Sequence, residues 1–292
     1  MLEKLTYTDK MKIYPKISPS ELGNEMKEKV KKSQGIEIQF FDENGITEPF
    51  NFEDEIIKRK EQFPNLKEII VHPPLNNYNI ELLFLKDENI IKEQLHSLVK
   101  LSVKLNIELD FIYHTYLTVQ QYVSTNLDKR LKKILKIVEG TNVTILLENL
   151  FMMLDEKDEC SAVEICKYIN HPNLKCCLDT THVHCKANIL KNDFEEMIKK
   201  ELNSEDCKKY IKQIHFAAAL NNDGYINKKT HGRKHRNFDE LKKEYEWLTS
   251  LGLKDKNYIT EVSEEDYYSR QDQLEEIFML EKCVDSYGKE EN

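Results

Sequence analysis

VTILLENL (143–150), LKCCLDTTH (174–182), IKQIHFAAA (211–219) and NYITEV (257–262) are apolar, β-rich runs, each closing on a carboxylate or an imidazole. The residues at these ends are Glu148, Asp179, His215 and Glu261. A core does not choose ionisable side chains without a partner or a task, because an uncompensated buried charge is costly. Three carboxylates and one imidazole make a hard-to-borderline ligand set suited to Zn²⁺, Mn²⁺ or a similar divalent ion. If the four strands are neighbours in one sheet, these side chains converge on one point. The pattern therefore predicts an active site at the strand ends.

Outward from these runs the same alternation continues. Strands are predicted over GIEIQFFD (35–42), LKEIIVHPP (66–74) and IELDFIYHTY (107–116), with an eighth around LTYTDKMKIY (5–14). Amphipathic helices are predicted over 88–105, 127–140, 161–170, 237–252 and 269–284. In the first of them Ile91, Leu95, Leu98 and Leu105 share one face at helical spacing. Gly140 and Gly252 stand where C-terminal caps belong, and Asn237 or Asp239 can cap the helix that carries Trp247. Strict βα alternation implies a parallel sheet, since parallel neighbours need a crossover. Eight such units close a (β/α)₈ TIM barrel, a single domain spanning residues 1–292. The rival is an open doubly wound sheet, but no GxGxxG or GxxxxGK[ST] element follows any strand. With eight glycines in 292 residues, Gly-rich phosphate loops are not expected.

Composition sets the broad class. A chain that is 40% hydrophobic and 33% charged can bury a large core and is too apolar for global disorder. A net charge of −9 argues against broad nonspecific nucleic-acid binding but leaves room for a local basic groove. The seven cysteines include no CxxC pair and do not read as a disulfide framework. A reducing compartment is expected, and Cys176 and Cys177 read as buried thiols within a strand. MLEKLTYTDK lacks the apolar core of a signal peptide, and no stretch reaches the ~18 apolar residues of a membrane span. A soluble, cytoplasmic protein is the expectation, with no membrane partner.

In barrels the active site lies at the C-terminal ends of the strands. Those ends also carry His72, His114 and His182, so with His215 four of the nine histidines fall there. His96 lies in a helix and His171 in an NHPN turn, and both read as structural. His184 and His235 are near the predicted site in sequence, and both read as bystanders. HPPLNNY (72–78) reads as a substrate-contact loop or as an ordinary turn. KKTHGRKHR (228–236) places five Lys/Arg and two His after the seventh strand. It is either a solvated charge run or a clamp for a phosphate group.

These motifs, HPPLNNYN, LLEN, CLDTTH, IHFAAA, the following H-G and ITEV, resemble in order the xylose-isomerase-like barrels. That superfamily includes sugar and sugar-phosphate isomerases and epimerases and the endonuclease IV family of apurinic-site nucleases. The resemblance covers about residues 35–285. It implies that Glu148, Asp179, His215 and Glu261 bind the metal common to the superfamily. In the nuclease branch His72 and His114 would help hold a second metal, with Glu148 bridging. A third would use His182, His231 and an aspartate two residues before His231, where this chain has Lys229. A protonated lysine has no lone pair for a metal. The chain also continues NLFMMLDEKDE where the nucleases are Gly-rich, and AAAL where they carry Asn-Asp or Asp.

The resemblance and the residues together favour a metal-dependent sugar or sugar-phosphate isomerase or epimerase. Glu148 and Glu261 would transfer protons through an enediolate, a divalent ion (Zn²⁺ or Mn²⁺) would act as Lewis acid, and His182, His231, Lys229 and Arg233 would contact substrate. One alternative is an apurinic-site endonuclease acting on DNA with a two- or three-metal site. Another is a divergent barrel that binds metal or sugar without turnover.

Overall fold

A computed structural model describes residues 12–290, apart from 43–44, 47–50, 74–87, 116–118, 150–160, 191–192, 203–204, 219–231 and 265. The core is a parallel sheet of nine segments, which form the eight strands of a TIM barrel. Strand β1 comes in two halves, Lys12–Tyr14 and Lys16–Ile17, on either side of Pro15. There follow β2 (Gly35–Gln39), β3 (Glu68–His72), β4 (Glu108–His114), β5 (Val143–Glu148), β6 (Leu174–Asp179), β7 (Ile211–Phe216) and β8 (Asn257–Thr260).

Pro15 explains the closure. It has no N–H to give a ladder, so the strand changes partner there. Before it, Tyr14 lies opposite Ile259 of β8, and after it, Lys16 lies opposite Glu37 of β2. The two ends of the sheet are thus one stretch of chain. This first strand lies C-terminal to most of the 5–14 segment expected, whose residues 5–11 are outside the described residues. The second strand ends at Gln39 rather than residue 42, and Phe41–Asp42 begins a two-stranded antiparallel hairpin with Gly45–Ile46.

Helices α1 (Asn24–Lys32), α2 (Phe52–Gln62), α3 (Glu88–Leu105), α4 (Val119–Ser124) and α5 (Leu127–Leu135) belong to the first half of the chain. The second half holds α6 (Ala162–Ile169), α7 (Thr180–Leu190), α8 (Phe194–Glu201), α9 (Phe238–Ser250) and α10 (Gln271–Glu290). Ile91, Leu95 and Leu98 of α3 are fully buried against the barrel. Each such side chain contributes about 1.5–3 kcal/mol. Asn237 caps α9, its side chain accepting from the Glu240 N–H at 3.0 Å. Gly252 follows α9 at φ +77°, in a left-handed cap position. Gly140 also has a positive φ, but it lies beyond the end of α5, after further turns.

Alternate residues of each strand face the two sides of the barrel wall. One set, including Ile36, Ile38, Ile69, Val71, Leu109, Phe111, Ile145 and Leu147, packs with the helices. The other fills the interior in layers. Its middle is a small apolar plug of Tyr14, Ile70, Ile112, Leu146, Cys177 and Ile259. Gly35 is required there, since a Cβ on it would lie 2.4 Å from the Tyr14 ring. Among the described residues, no helix is long and apolar enough to cross a membrane.

Candidate metal centre

Above the plug, at the C-terminal ends of the strands, buried ionisable side chains gather. Glu148 closes β5, Asp179 closes β6, His215 lies near the end of β7 and Glu261 follows β8. The register places His114 opposite Glu148 and His215 opposite Asp179. One carboxylate oxygen or ring nitrogen from each of Glu148, Asp179, His215 and Glu261 lies within 4.8 Å of the others. From His215 Nδ1 the separations are 2.5 Å to Glu261 Oε2, 3.7 Å to Glu148 Oε2 and 3.9 Å to Asp179 Oδ2.

These atoms fit a divalent cation. Metal–ligand bonds of about 2.1 Å place tetrahedral ligands roughly 3.4 Å apart, a value the three separations bracket. Glu148 Oε2, His215 Nδ1 and Glu261 Oε2 are buried and make no hydrogen bond. The 2.5 Å approach of His215 to Glu261 lacks hydrogen-bond alignment, so neither atom is committed to a partner within the protein.

Asp179 owes its placement to the strand-to-helix turn. The helix α7 begins at the next residue, and Asp179 Oδ1 accepts the His182 N–H at 2.8 Å, as an N-cap does. Asn149 holds the same turn, its Oδ1 accepting from Asp179 N at 2.7 Å and its Nδ2 donating to Asp179 O at 3.1 Å. The other carboxylate oxygen is thereby turned to the centre. The sequence reading did not include a helix beginning at Thr180, although the Asp-Thr-Thr start is a capping signal. His182 rides on its first turn, with Nδ1 2.7 Å from Asn149 O and 3.4 Å from both Glu148 Oε1 and Asp179 Oδ2.

A second group adjoins the first. His72 Nε2 is 3.1 Å from His114 Nε2, and these nitrogens lie 3.7 and 3.4 Å from Glu148 Oε2. His72, His114 and Glu148 thus form another set of potential ligand atoms, sharing Glu148 with the quartet.

Two residues at this level escaped the sequence reading. Glu37 of β2 lies 2.9 Å from His72 Nδ1 and 2.7 Å from His215 Nε2. Lys16 of β1 donates to Glu261 Oε1 at 2.5 Å and sits 3.0 Å from Glu37 Oε1. The signal for Glu37 was a charged residue alternating with Ile36 and Ile38 in a strand otherwise built for burial.

The charges interact strongly. Burial alone would raise the carboxyl of Glu148, but His114, His215 and His72 hold it far below the carboxylate range. Burial likewise opposes ionisation of Glu261 and Glu37, yet His215 and Lys16 keep both low. Asp179 is pushed well up by burial and by the charges of Glu261 and Glu148. Burial lowers His114 to about 3 and also lowers His182. His215 moves well up despite its burial, because Cys177 and the carboxylates of Glu261, Glu37 and Glu148 surround it.

Of the expected substrate contacts, His231 and Lys229 lie outside the described residues, as does most of HPPLNNY. Arg233 is exposed, with its backbone paired to Ala218 at 2.8 and 3.0 Å. Gly232 holds this stretch close to the centre, since a Cβ there would meet the Glu261 carbonyl at 2.5 Å. Two cations of the basic run are engaged by helices: Lys234 pairs with Asp272 at 2.7 Å and Glu275 at 2.5 Å, and Arg236 lies 3.8 Å from Glu240. His184 and His235 form a separate cluster. Both reach Glu244 Oε2, at 2.9 and 3.2 Å, and His235 also bonds Glu276. Cys176 and Cys177 are fully buried.

The fold and its rim define a TIM barrel with acid and imidazole side chains gathered at the strand C-termini. The chain belongs to the xylose isomerase-like TIM barrel family, whose model matches residues 33–277. No curated protein matches it in sequence. Among solved structures, a D-tagatose 3-epimerase-like protein is 19% identical, covering 96% of this chain and 100% of its own, at a TM-score of 0.59. A xylose isomerase domain protein from Planctomyces limnophilus is 10% identical at 0.64, covering 97% and 100%. An IOLI protein with a bound zinc atom is 16% identical at 0.58, covering 93% and 96%. These likenesses establish the fold.

Proposed function

We propose that the protein is a divalent-metal-dependent sugar or sugar-phosphate isomerase or epimerase. The observation that carries this is the convergence of Glu148, Asp179, His215 and Glu261 above the barrel plug, with buried, unbonded lone pairs on Glu148, His215 and Glu261. Epimerase-like and zinc-bearing proteins among those of similar fold support the reading. Asp179 and His215 would hold the ion together with the two glutamates. A bound Zn²⁺ or Mn²⁺ supplies Lewis acidity toward a sugar carbonyl and its neighbouring hydroxyl.

The chain's own groups would move the protons. Glu148 and Glu261 come from β5 and β8, and both are held ionised by their neighbours, so each can act as a base. The ionised carboxylate of one takes a proton from the carbon beside the carbonyl and, now the acid, returns it to the neighbouring carbon of the enediolate. Return to the opposite face, as in epimerisation, draws on the second glutamate in its protonated form. His182, beside both Glu148 and Asp179, is placed to contact a substrate hydroxyl. His231, Lys229 and Arg233 remain proposed substrate contacts on the same side of the barrel.

The His72–His114–Glu148 group favours a second reading, phosphodiester hydrolysis of apurinic-site DNA at a two-metal centre. Metal analysis and two assays separate them. One ion per chain with isomerisation or epimerisation of a ketose panel supports the first reading. Two or more ions with nicking of abasic DNA in Zn²⁺ or Mn²⁺ would replace it with the second.

A further inference from the structure

A histidine ligand offers one ring nitrogen to an ion, and the group that accepts from the other sets its tautomer and orientation. His72 and His215 come from β3 and β7, distant in the chain, yet their rings stack with centroids 5.3 Å apart. One carboxylate reaches both. Glu37 Oε1 lies 2.9 Å from His72 Nδ1, and Glu37 Oε2 lies 2.7 Å from His215 Nε2. The remaining nitrogens then face inward, His72 Nε2 toward His114 and Glu148, and His215 Nδ1 toward the quartet.

Glu37 is completely buried, so such a charge must be compensated. Lys16 at 3.0 Å and the Gln213 amide at 2.7 Å supply that compensation. An isolated buried ion pair would need no imidazole on either oxygen. Here each oxygen of Glu37 meets a different ring, and those rings belong to the two adjoining groups of ligand atoms.

We propose that Glu37 is a positioning residue: one carboxylate that orients His72 and His215 together and so tunes the affinity of the whole centre for cations. The proposal rests on the metal-binding reading given above. With the centre loaded, it requires His72 to carry its proton on Nδ1, with Lys16, 3.0 Å from that nitrogen, donating to Glu37 and Glu261 instead. It likewise requires His215 to carry its proton on Nε2, with the Gln213 amide, 2.8 Å away, donating to Glu37.

The test is a Co²⁺ titration of the full chain, followed by visible absorption, for wild type, Glu37→Gln and Glu68→Gln. Glu68 is an equally buried glutamate at the opposite end of the barrel and serves as control. Glu37→Gln should weaken binding by about 10- to 100-fold and change the Co²⁺ spectrum, whereas Glu68→Gln should bind like wild type. Affinity within twofold of wild type in Glu37→Gln would overturn the assignment. So would an equal loss in Glu68→Gln. If Glu37→Gln does not fold, ¹⁵N NMR of the imidazoles in Zn²⁺-loaded wild type decides, and the opposite tautomer at either histidine refutes the proposal. A wild-type chain that binds no Co²⁺ removes the metal reading itself, and this inference with it.

Discussion

The two ends of the barrel interior are built from the same residue types and solve the charge problem differently. At the N-terminal end Lys212 reaches Asp110 at 2.6 Å and Glu68 at 3.0 Å. Tyr14 and Asn257 donate to the two oxygens of Glu68 at 2.8 and 3.0 Å. That network answers its carboxylates with a cation and with donors. At the C-terminal end stand Glu37, Glu148, Asp179 and Glu261. Lys16 contacts Glu37 and Glu261, while Glu148 and Asp179 meet imidazoles, and Asp179 also accepts the His182 backbone N–H. One end is a closed structural network. The other is anion-rich, with lone pairs aimed at a common point, which is the condition under which a divalent cation is the natural partner.

The most severe way to break this comparison is to remove a carboxylate from the anionic end. Glu148→Gln or Glu261→Gln should lower turnover in the proposed isomerase or epimerase reaction by about 10²- to 10⁴-fold, with the folded state retained by circular dichroism. Wild-type activity in either variant would end the two-carboxylate mechanism. Next in size is the closed end. Lys212→Met should destabilise by about 3–5 kcal/mol, because it strands Asp110 and Glu68 without their cation. Urea unfolding reads the loss, and metal content should not change; a fall in bound metal would show that the two ends are not independent.

Metal addition sharpens the contrast. At a hundredfold excess over Kd, Zn²⁺ or Mn²⁺ should stabilise wild type by about 2.7 kcal/mol, and chelation should reverse it. Asp179→Asn and His215→Ala should lose the effect in thermal melts, and an undiminished shift would exclude them as ligands.

The gentlest probe is pH. Burial alone would lower His235, but Glu244 and Glu276 raise it to about 10. Its contribution to stability is therefore full below the unfolded value near 6.5 and is lost as the pH rises toward 10. The slope is at most about 1.4 kcal/mol per pH unit. His235→Gln should flatten that slope in unfolding measured from pH 6.5 to 10, and an unaltered slope would assign it to other groups.

The quartet was legible because strand ends in a parallel barrel must face one rim, so apolar runs ending on Glu148, Asp179, His215 and Glu261 identify its lining. Glu37 was less legible. In GIEIQ its alternation with isoleucines fits equally a strand with one face toward solvent. Lys16, next to Pro15 in a short segment, carries no periodic signal of its own.

Periodicity and strand-end chemistry, both local properties of the chain, determined the barrel class and the residue types on its rim. The tertiary structure decided which ionisable groups meet. The closure at Pro15 brings Lys16 beside Glu37, and the circle of strands carries Glu37 to His72 and His215, thirty-five and 178 residues away in the chain. Such contacts depend on register and on barrel diameter, which no local sequence pattern encodes.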